Sequence, residues 1–150
     1  MSCEVMTEFK RVFIDTAPFI YLLEQHPVYA LTTMRLFEHF LASETEMFSS
    51  SITIEEYLIG PYRRGNREQA ARFMAFLHDC DITIHMIDEE TAQRAAQIRT
   101  DYRNFKAMDA LQLASACSEA CDLFLTNDKQ LLQFHDVKCM TLDTFGVTSL

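Results

Sequence analysis

The chain is poor in the residues that build linkers, with three glycines and three prolines in 150 residues. Flexible or semi-rigid linkers are rich in Gly, Ser or Pro. Their scarcity argues for short loops and no divided chain, and about 100–200 residues is the usual size of one domain. Residues 1–10 read as a polar lead-in and residues 11–150 as a single domain. Long apolar runs are also missing. A bilayer span needs about 20 apolar residues, and the best candidate, residues 12–23, is broken by Asp15, Thr16 and Pro18. The opening MSCEVMTEFK carries two glutamates and no charged-then-apolar pattern, so it does not resemble a secretion signal. No membrane partner is expected. The five cysteines, at 3, 80, 117, 121 and 139, are odd in number and include no C-x-x-C. That pattern is not a disulfide framework. Cys117 and Cys121 stand one helical turn apart in a segment that reads as helix, and a metal there would need two more ligands. Small buried apolar side chains are the expected role, and reduced thiols fit the cytoplasm.

Several chemistries lack their signatures. There is no G-x-S-x-G for a serine hydrolase and no glycine-rich phosphate loop. The five histidines form no metal-binding pair, and most are expected at the surface or an interface. An excess of positive charge is absent as well: the net charge is -9. Nucleic-acid binders are usually basic. Two features soften this. Eight of the 13 basic residues fall between Arg63 and Lys106, and acids that hold a cation are offset by it.

What the chain does have is alternation. RVFID at 11–15 is a buried-strand pattern, and Pro18 is placed to open a helix. Pro27 is expected to end that helix. A helix follows over 28–42, with Leu31, Met34, Phe37, Phe40 and Leu41 at helical spacing. A strand is expected at 47–50, helices at 53–64 and 68–78, and a break at Gly65-Asn66. Ala71, Met74, Ala75 and Leu77 are expected inward on the second of these helices, and Ala92, Ala95, Ala96 and Ile98 on a later one. That later helix spans 88–103 and follows a strand at 82–87. A further helix at 108–119, a strand at 123–125, a short helix at 128–134 and a strand at 137–142 complete the pattern. Strands alternating with helices imply right-handed crossovers, a mainly parallel sheet and helices on both faces. The fold class is therefore α/β, a three-layer α/β/α sandwich. Ligands in such folds bind past the carboxyl ends of the strands, where strand order reverses.

Four acids sit where that rule looks. Asp15 closes the first strand, Glu56 lies one turn into a helix, Asp109 opens another, and Asp128 follows LFLT. Each has a local explanation. Thr53-x-x-Glu56 and Asp109-x-x-Gln112 have the form of capping boxes, and Asp15 and Asp128 can cap the helices that follow them. The other explanation is collective. Acids on strand ends and on the adjoining helices can meet at one rim. Carboxylates sharing a pocket repel, and a hard divalent cation such as Mg²⁺ or Mn²⁺ resolves the conflict.

The segments VFIDTAPFIYLLE, SSITIEEYLIG, KAMDALQLASA and LFLTNDKQL resemble the four acidic motifs of the PIN domain. They are similar, in particular, to those of VapC-type toxins of toxin–antitoxin pairs. The resemblance runs from about residue 11 to 143. It implies an α/β/α sandwich with a parallel sheet and a Mg²⁺- or Mn²⁺-dependent ribonuclease. Asp15, Glu56, Asp109 and Asp128 are then the catalytic and metal-site acids, with Thr16, Thr126 and Asn127 in support. Glu56 is chosen over Glu55 because Thr53, Glu56 and Gly60 reproduce the family's T-x-x-E-x-x-x-G spacing. Two positions depart from the pattern. Ala17 stands where a small polar residue is frequent, and Asn127 where some members carry another acid.

The same resemblance implies an RNA substrate and a cognate antitoxin that blocks the site with an inserted peptide. Arg63, Arg64, Arg99, Arg103 and Lys106 are candidates for an RNA-backbone path, since phosphate contacts position a substrate without reading it. Solvated helix faces are the alternative. The apolar runs around Phe37, Phe40, Phe73, Phe76 and Leu77 are expected first as core and second as a homodimer face or antitoxin groove. The rival to a nuclease is a catalytically silent PIN module that binds RNA or a protein. A haloacid-dehalogenase-like phosphatase is a poorer fit, because it needs an Asp where Ala17 stands.

Overall fold

The computed structural model describes residues 9–145. The lead-in expected over residues 1–10 falls mostly outside them, as does the end of the 11–150 span. Among the described residues, five strands form one sheet: β1 (Arg11–Ile14), β2 (Glu46–Ser50), β3 (Thr83–His85), β4 (Leu123–Thr126) and β5 (Lys138–Thr141). Their order is β3-β2-β1-β4-β5, and every neighbouring pair is parallel. Six α-helices among the described residues cover it: α1 (Thr16–Leu23), α2 (Ala30–Ala42), α3 (Ser51–Arg63), α4 (Arg67–Asp79), α5 (Glu89–Asp101) and α6 (Ala107–Ser118). Short 3₁₀ turns at Lys129–Gln133 and Leu142–Phe145 flank β5. No helix among the described residues is long and apolar enough to cross a membrane.

The strand side chains alternate between two cores, as a period of two requires. Val12, Ile14, Leu123 and Leu125 meet Phe19 of α1, Phe37 and Phe40 of α2, Tyr57 of α3 and Phe73 of α4. Phe13 and Phe124 point the other way, toward Ala95 and Ile98 of α5 and Leu113 of α6. The register pairs Phe13 with Phe124, and their rings stack 5.2 Å apart. Both faces of the sheet are thus buried, which explains why β1 and β4 read as continuous apolar runs.

Some local expectations are corrected. α1 stops at Leu23, and Gln25 at φ 54° turns the chain before Pro27 is reached. Gly65, at φ 65°, supplies the left-handed turn between α3 and α4. On α4 the buried side is Ala70, Phe73 and Leu77, while Ala71, Met74 and Ala75 are exposed. On α5, Ala95 and Ile98 are buried but Ala92 and Ala96 are not. Cys121 lies beyond the end of α6 rather than on it, and is buried. Phe37, Phe40, Phe73 and Leu77 are core, with Phe76 partly buried against them. The exposed apolar residues of α2 are instead Leu31, Met34 and Leu41. His85 is not a surface residue: it is bonded on both ring nitrogens, at 2.8 Å to Glu119 and 2.7 Å to Thr91.

Candidate functional site

Strand order reverses between β1 and β4. The chain runs outward from β1 through β2 to β3, then returns to place β4 on the other side of β1. Helices leaving adjacent strands in opposite directions leave a crevice at such a point. Asp15 and Asp128 stand on its two sides. The Asp15 amide donates to Leu125 O at 2.9 Å, which extends the β1–β4 pairing to the acid itself.

Asp15 is held by three donors. Oδ2 accepts from the Thr126 hydroxyl at 2.8 Å. Oδ1 accepts from the Thr16 amide at 2.8 Å and from Gln112 Nε2 at 3.3 Å. Burial nevertheless raises its pKa, outweighing the lowering by these bonds, and Asp128 adds repulsion. The Thr126 hydroxyl also accepts from the Asp128 amide at 3.1 Å, so one side chain spaces the two acids.

Glu56 is reached through a chain of hydroxyls. Gln112 Nε2 lies 2.7 Å from Thr53 Oγ1, which lies 3.2 Å from Thr16 Oγ1, which lies 2.8 Å from Glu56 Oε1. A hydroxyl carries one hydrogen and a carboxylate none. The direction is therefore set: Gln112 donates to Thr53, Thr53 to Thr16, and Thr16 to Glu56. Such chains polarise each other and strengthen. The Gln112 carbonyl accepts from the Ser50 hydroxyl, which fixes the amide's orientation. Ser50, Thr53 and Gln112 are all buried. Glu55, the competing acid, is exposed.

Asp109 sits in the first turn of α6, where free backbone amides favour an anion. It accepts no hydrogen bond from the described residues. Its pKa is raised to about 6, first by burial, then by Asp15, Asp128 and Glu56, with Lys106 pulling the other way. Glu56 is also raised, by burial first and then by Asp15 and Glu55, against the Thr16 bond. The four acids therefore share one electrostatic site.

The capping explanations divide. Asp15 does cap α1, and Asp128 caps the turn at Lys129–Gln133. The two capping boxes do not form. Ser50 caps α3, so Thr53 and Glu56 lie inside the helix. Lys106 precedes α6 without a side-chain cap.

The family model for the PIN domain matches residues 12–137. The chain belongs to the PIN-domain family. Similar folds are found in solved toxin–antitoxin structures. The VapBC2 structure from Rickettsia felis, bound to a promoter DNA fragment, has a chain 15% identical with a TM-score of 0.73; the match covers 87% of this chain and 98% of that one. A toxin–antitoxin complex from Klebsiella pneumoniae is 22% identical at a TM-score of 0.69, covering 87% and 97%. VapC20 of Mycobacterium tuberculosis, a sarcin–ricin loop cleaving toxin, is 18% identical at 0.63, covering 84% and 98%. No curated protein matches the sequence.

In this PIN domain the sequence reading missed Gln112 and Ser50 as parts of the site. Gln112 had only a capping role in view. The tie from Gln112 to Asp15 spans 97 positions, and no local spacing signals it. Thr16 supplies the polar contact that Ala17 lacks. Asn127 turns to the Tyr21 hydroxyl, donating from Nδ2 at 3.1 Å. Arg64, one of the candidates for the basic path, is engaged within the protein. Its guanidinium lies over Gly60 and binds Glu24 at 3.1 Å and Gln69 at 2.8 Å, so it ties α1, α3 and α4 together. Arg63, Arg99, Arg103 and Lys106 are exposed and make no ion pair among the described residues.

The donor set suits a hard divalent cation: carboxylate oxygens, raised pKa values and no cysteine or histidine. As the side chains stand, however, no three His, Cys, Asp or Glu residues among those described are placed to hold an ion. Both Asp15 oxygens are taken up by Thr126, Thr16 and Gln112.

Proposed function

We propose that this PIN domain is a Mg²⁺- or Mn²⁺-dependent endoribonuclease and the toxin of a type II toxin–antitoxin pair. The observation that carries the reading is the meeting of Asp15, Glu56, Asp109 and Asp128 at the reversal of strand order, with Asp109 pushed up to about 6. Asp15, Asp109 and Asp128 would hold the cation, with Glu56 at its side directly or through water. When bound, such an ion polarises a phosphoryl oxygen and lowers the pKa of water. The protein's own residues supply the rest. Thr126 and Gln112 orient Asp15, and Thr16 orients Glu56. Asp109 keeps a proton up to about pH 6 when no cation is near.

The family resemblance and the toxin–antitoxin neighbours support an antitoxin as partner and RNA as substrate. The exposed Leu31, Met34 and Leu41 are compatible with a protein partner, a second copy included. Free thiols at Cys80, Cys117, Cys121 and Cys139 accord with the cytoplasm.

One observation favours the rival, a silent module. As the side chains stand, no three of the acids among the described residues are placed to hold one ion together. Incubating the purified protein with single-stranded and hairpin RNA separates the two. Cleavage that needs Mg²⁺ or Mn²⁺, stops with EDTA and returns with excess metal supports the nuclease. Binding without cleavage under any divalent ion supports the silent module.

Lys106 tests the RNA path. It adjoins the site through Asp109, whereas Lys138 begins β5 at the opposite end of the sheet. Lys106→Ala is expected to weaken binding about equally for all RNA sequences. It should also make the salt dependence shallower, by about 0.7 in the log–log slope for one single-strand phosphate contact. Lys138→Ala should leave the slope at the parent's value. Equal slopes for both variants would remove Lys106 from the path.

A further inference from the structure

Three aromatic rings meet beside the acids. Tyr21 comes from α1, His26 from the turn after it, and Tyr29 from the residue before α2. Tyr21 and Tyr29 stack with centroids 4.9 Å apart and planes 24° from parallel. His26 lies 4.7 Å from Tyr21 and 5.2 Å from Tyr29. All three are partly exposed. The Asn127 bond to the Tyr21 hydroxyl, 3.1 Å long, places this cluster next to the residue between Thr126 and Asp128.

The cluster is held still. The Tyr29 hydroxyl donates to Asp143 Oδ1 at 2.9 Å. His26 Nδ1 accepts the backbone amides of Val28 at 3.1 Å and Tyr29 at 3.2 Å. A ring nitrogen that accepts carries no hydrogen, so the imidazole hydrogen sits on Nε2. That N–H has no partner among the described residues. Holding the turn needs only an acceptor, which an asparagine also supplies. Neither the aromatic ring nor a free donor is required for it.

We infer that Tyr21, His26 and Tyr29 form a subsite for an unpaired nucleobase of the RNA strand, one that flanks the bond to be cut. The base stacks on the rings, and His26 Nε2–H donates to a carbonyl or ring nitrogen on its edge. Proteins that take single strands use aromatic side chains in this way. A phosphate suits the place less well, because no lysine or arginine joins the cluster and the Asp143 carboxylate does. The inference rests on the ribonuclease reading.

The test uses a short single-stranded RNA with 2-aminopurine at successive positions. Anisotropy measures binding in EDTA, 2-aminopurine fluorescence measures stacking, and cleavage of the same RNA in Mg²⁺ gives kcat and KM. The parent should quench the probe strongly at one position near the cut. His26→Asn keeps an acceptor for the turn and removes the ring. It and Tyr29→Leu are expected to weaken binding roughly tenfold and relieve the quenching, with kcat within about twofold. Tyr29→Phe keeps the ring and should behave like the parent, which guards against a variant that fails to fold. An abasic nucleotide at the quenched position should bind the parent as weakly as the intact RNA binds His26→Asn. If the abasic RNA still separates parent from variant, the contact is with the backbone and the base subsite is wrong. Unchanged quenching in His26→Asn and Tyr29→Leu, with cleavage intact, overturns the subsite alone. A parent that neither binds nor cleaves RNA overturns the ribonuclease reading and the subsite with it.

Discussion

On the ribonuclease reading, Asp109→Asn is expected to abolish RNA cleavage and leave the fold intact, with a higher melting temperature than the parent at pH 7 in EDTA. The substitution keeps the shape of the side chain and removes one of four carboxylates that repel each other. Loss of one preorganised charge from a site of this kind costs at least about a hundredfold in rate. The stability gain follows from the direction of the pKa shift. Asp109 goes from 3.8 to about 6 on folding. Between those values the folded state binds more protons than the unfolded chain, so stability falls as pH rises. The favourable state is the protonated one, fully present below about 3.8 and lost through 6. At pH 7 the ionised group carries its whole cost, about 1–2 kcal/mol once discounted for partial exposure. Removing it raises the melting temperature by about 2–6 °C for a chain of this size. The parent should gain stability on acidification from pH 7 to 5, and the variant, which keeps the raised Asp15 and Glu56, should gain less. Calorimetry at the two pH values checks both. If Asp109→Asn melts below the parent at pH 7, the carboxylate is a structural support of α6 rather than a site acid.

Gln112→Leu produces the largest loss of stability expected of any single polar substitution in this site. The volume is nearly conserved, so packing changes little. Three partners are stranded: the Ser50 hydroxyl loses its acceptor, and Asp15 and Thr53 lose a donor. A buried group left without its bond costs about 1–3 kcal/mol. The groups act as one network, so the sum is sub-additive, and a loss of about 2–4 kcal/mol is expected. Activity should fall as well, because the same amide orients Asp15 directly and Glu56 through Thr53 and Thr16. Gln112→Glu separates hydrogen bonding from shape. It keeps the acceptor for Ser50 but sets a fourth oxygen anion against Asp15, and so should be worse than leucine at pH 7 and recover toward pH 4. Urea midpoints of the three proteins measure the effect. A Gln112→Leu midpoint matching the parent's would mean that the network contributes nothing to stability.

Much of the layout is visible in the sequence because the relevant physics is local. Residues 12–14 and 123–125 are apolar without interruption because both faces of β1 and β4 are buried. The helices are visible through their period, and their boundaries differ from expectation by a few residues. Asp15 and Asp128 follow strands directly, so their place at the sheet's edge is a matter of chain order. What the periodicity could not settle is which side of each helix faces inward. Met74 and Phe73 are neighbours, and only the position of α4 against Phe19 and Tyr57 decides that Phe73 is the buried one.

By itself, then, the sequence determined the alternation of elements, the parallel α/β class and the four acids with their resemblance to the PIN motifs. Only the tertiary structure decided the order β3-β2-β1-β4-β5, which puts Asp15 and Asp128 on either side of one crevice. It also decided that Thr53 and Glu56 lie within α3, because the chain passes from β2 into the helix at Ser50 without a loop. Arg64 is bound to Glu24, 40 positions away, and Gln112 to Ser50, 62 away. Hydrogen bonds of that kind depend on where two distant backbones come to rest. Their geometry is set by core packing on both faces of the sheet, and no spacing within a single segment encodes it.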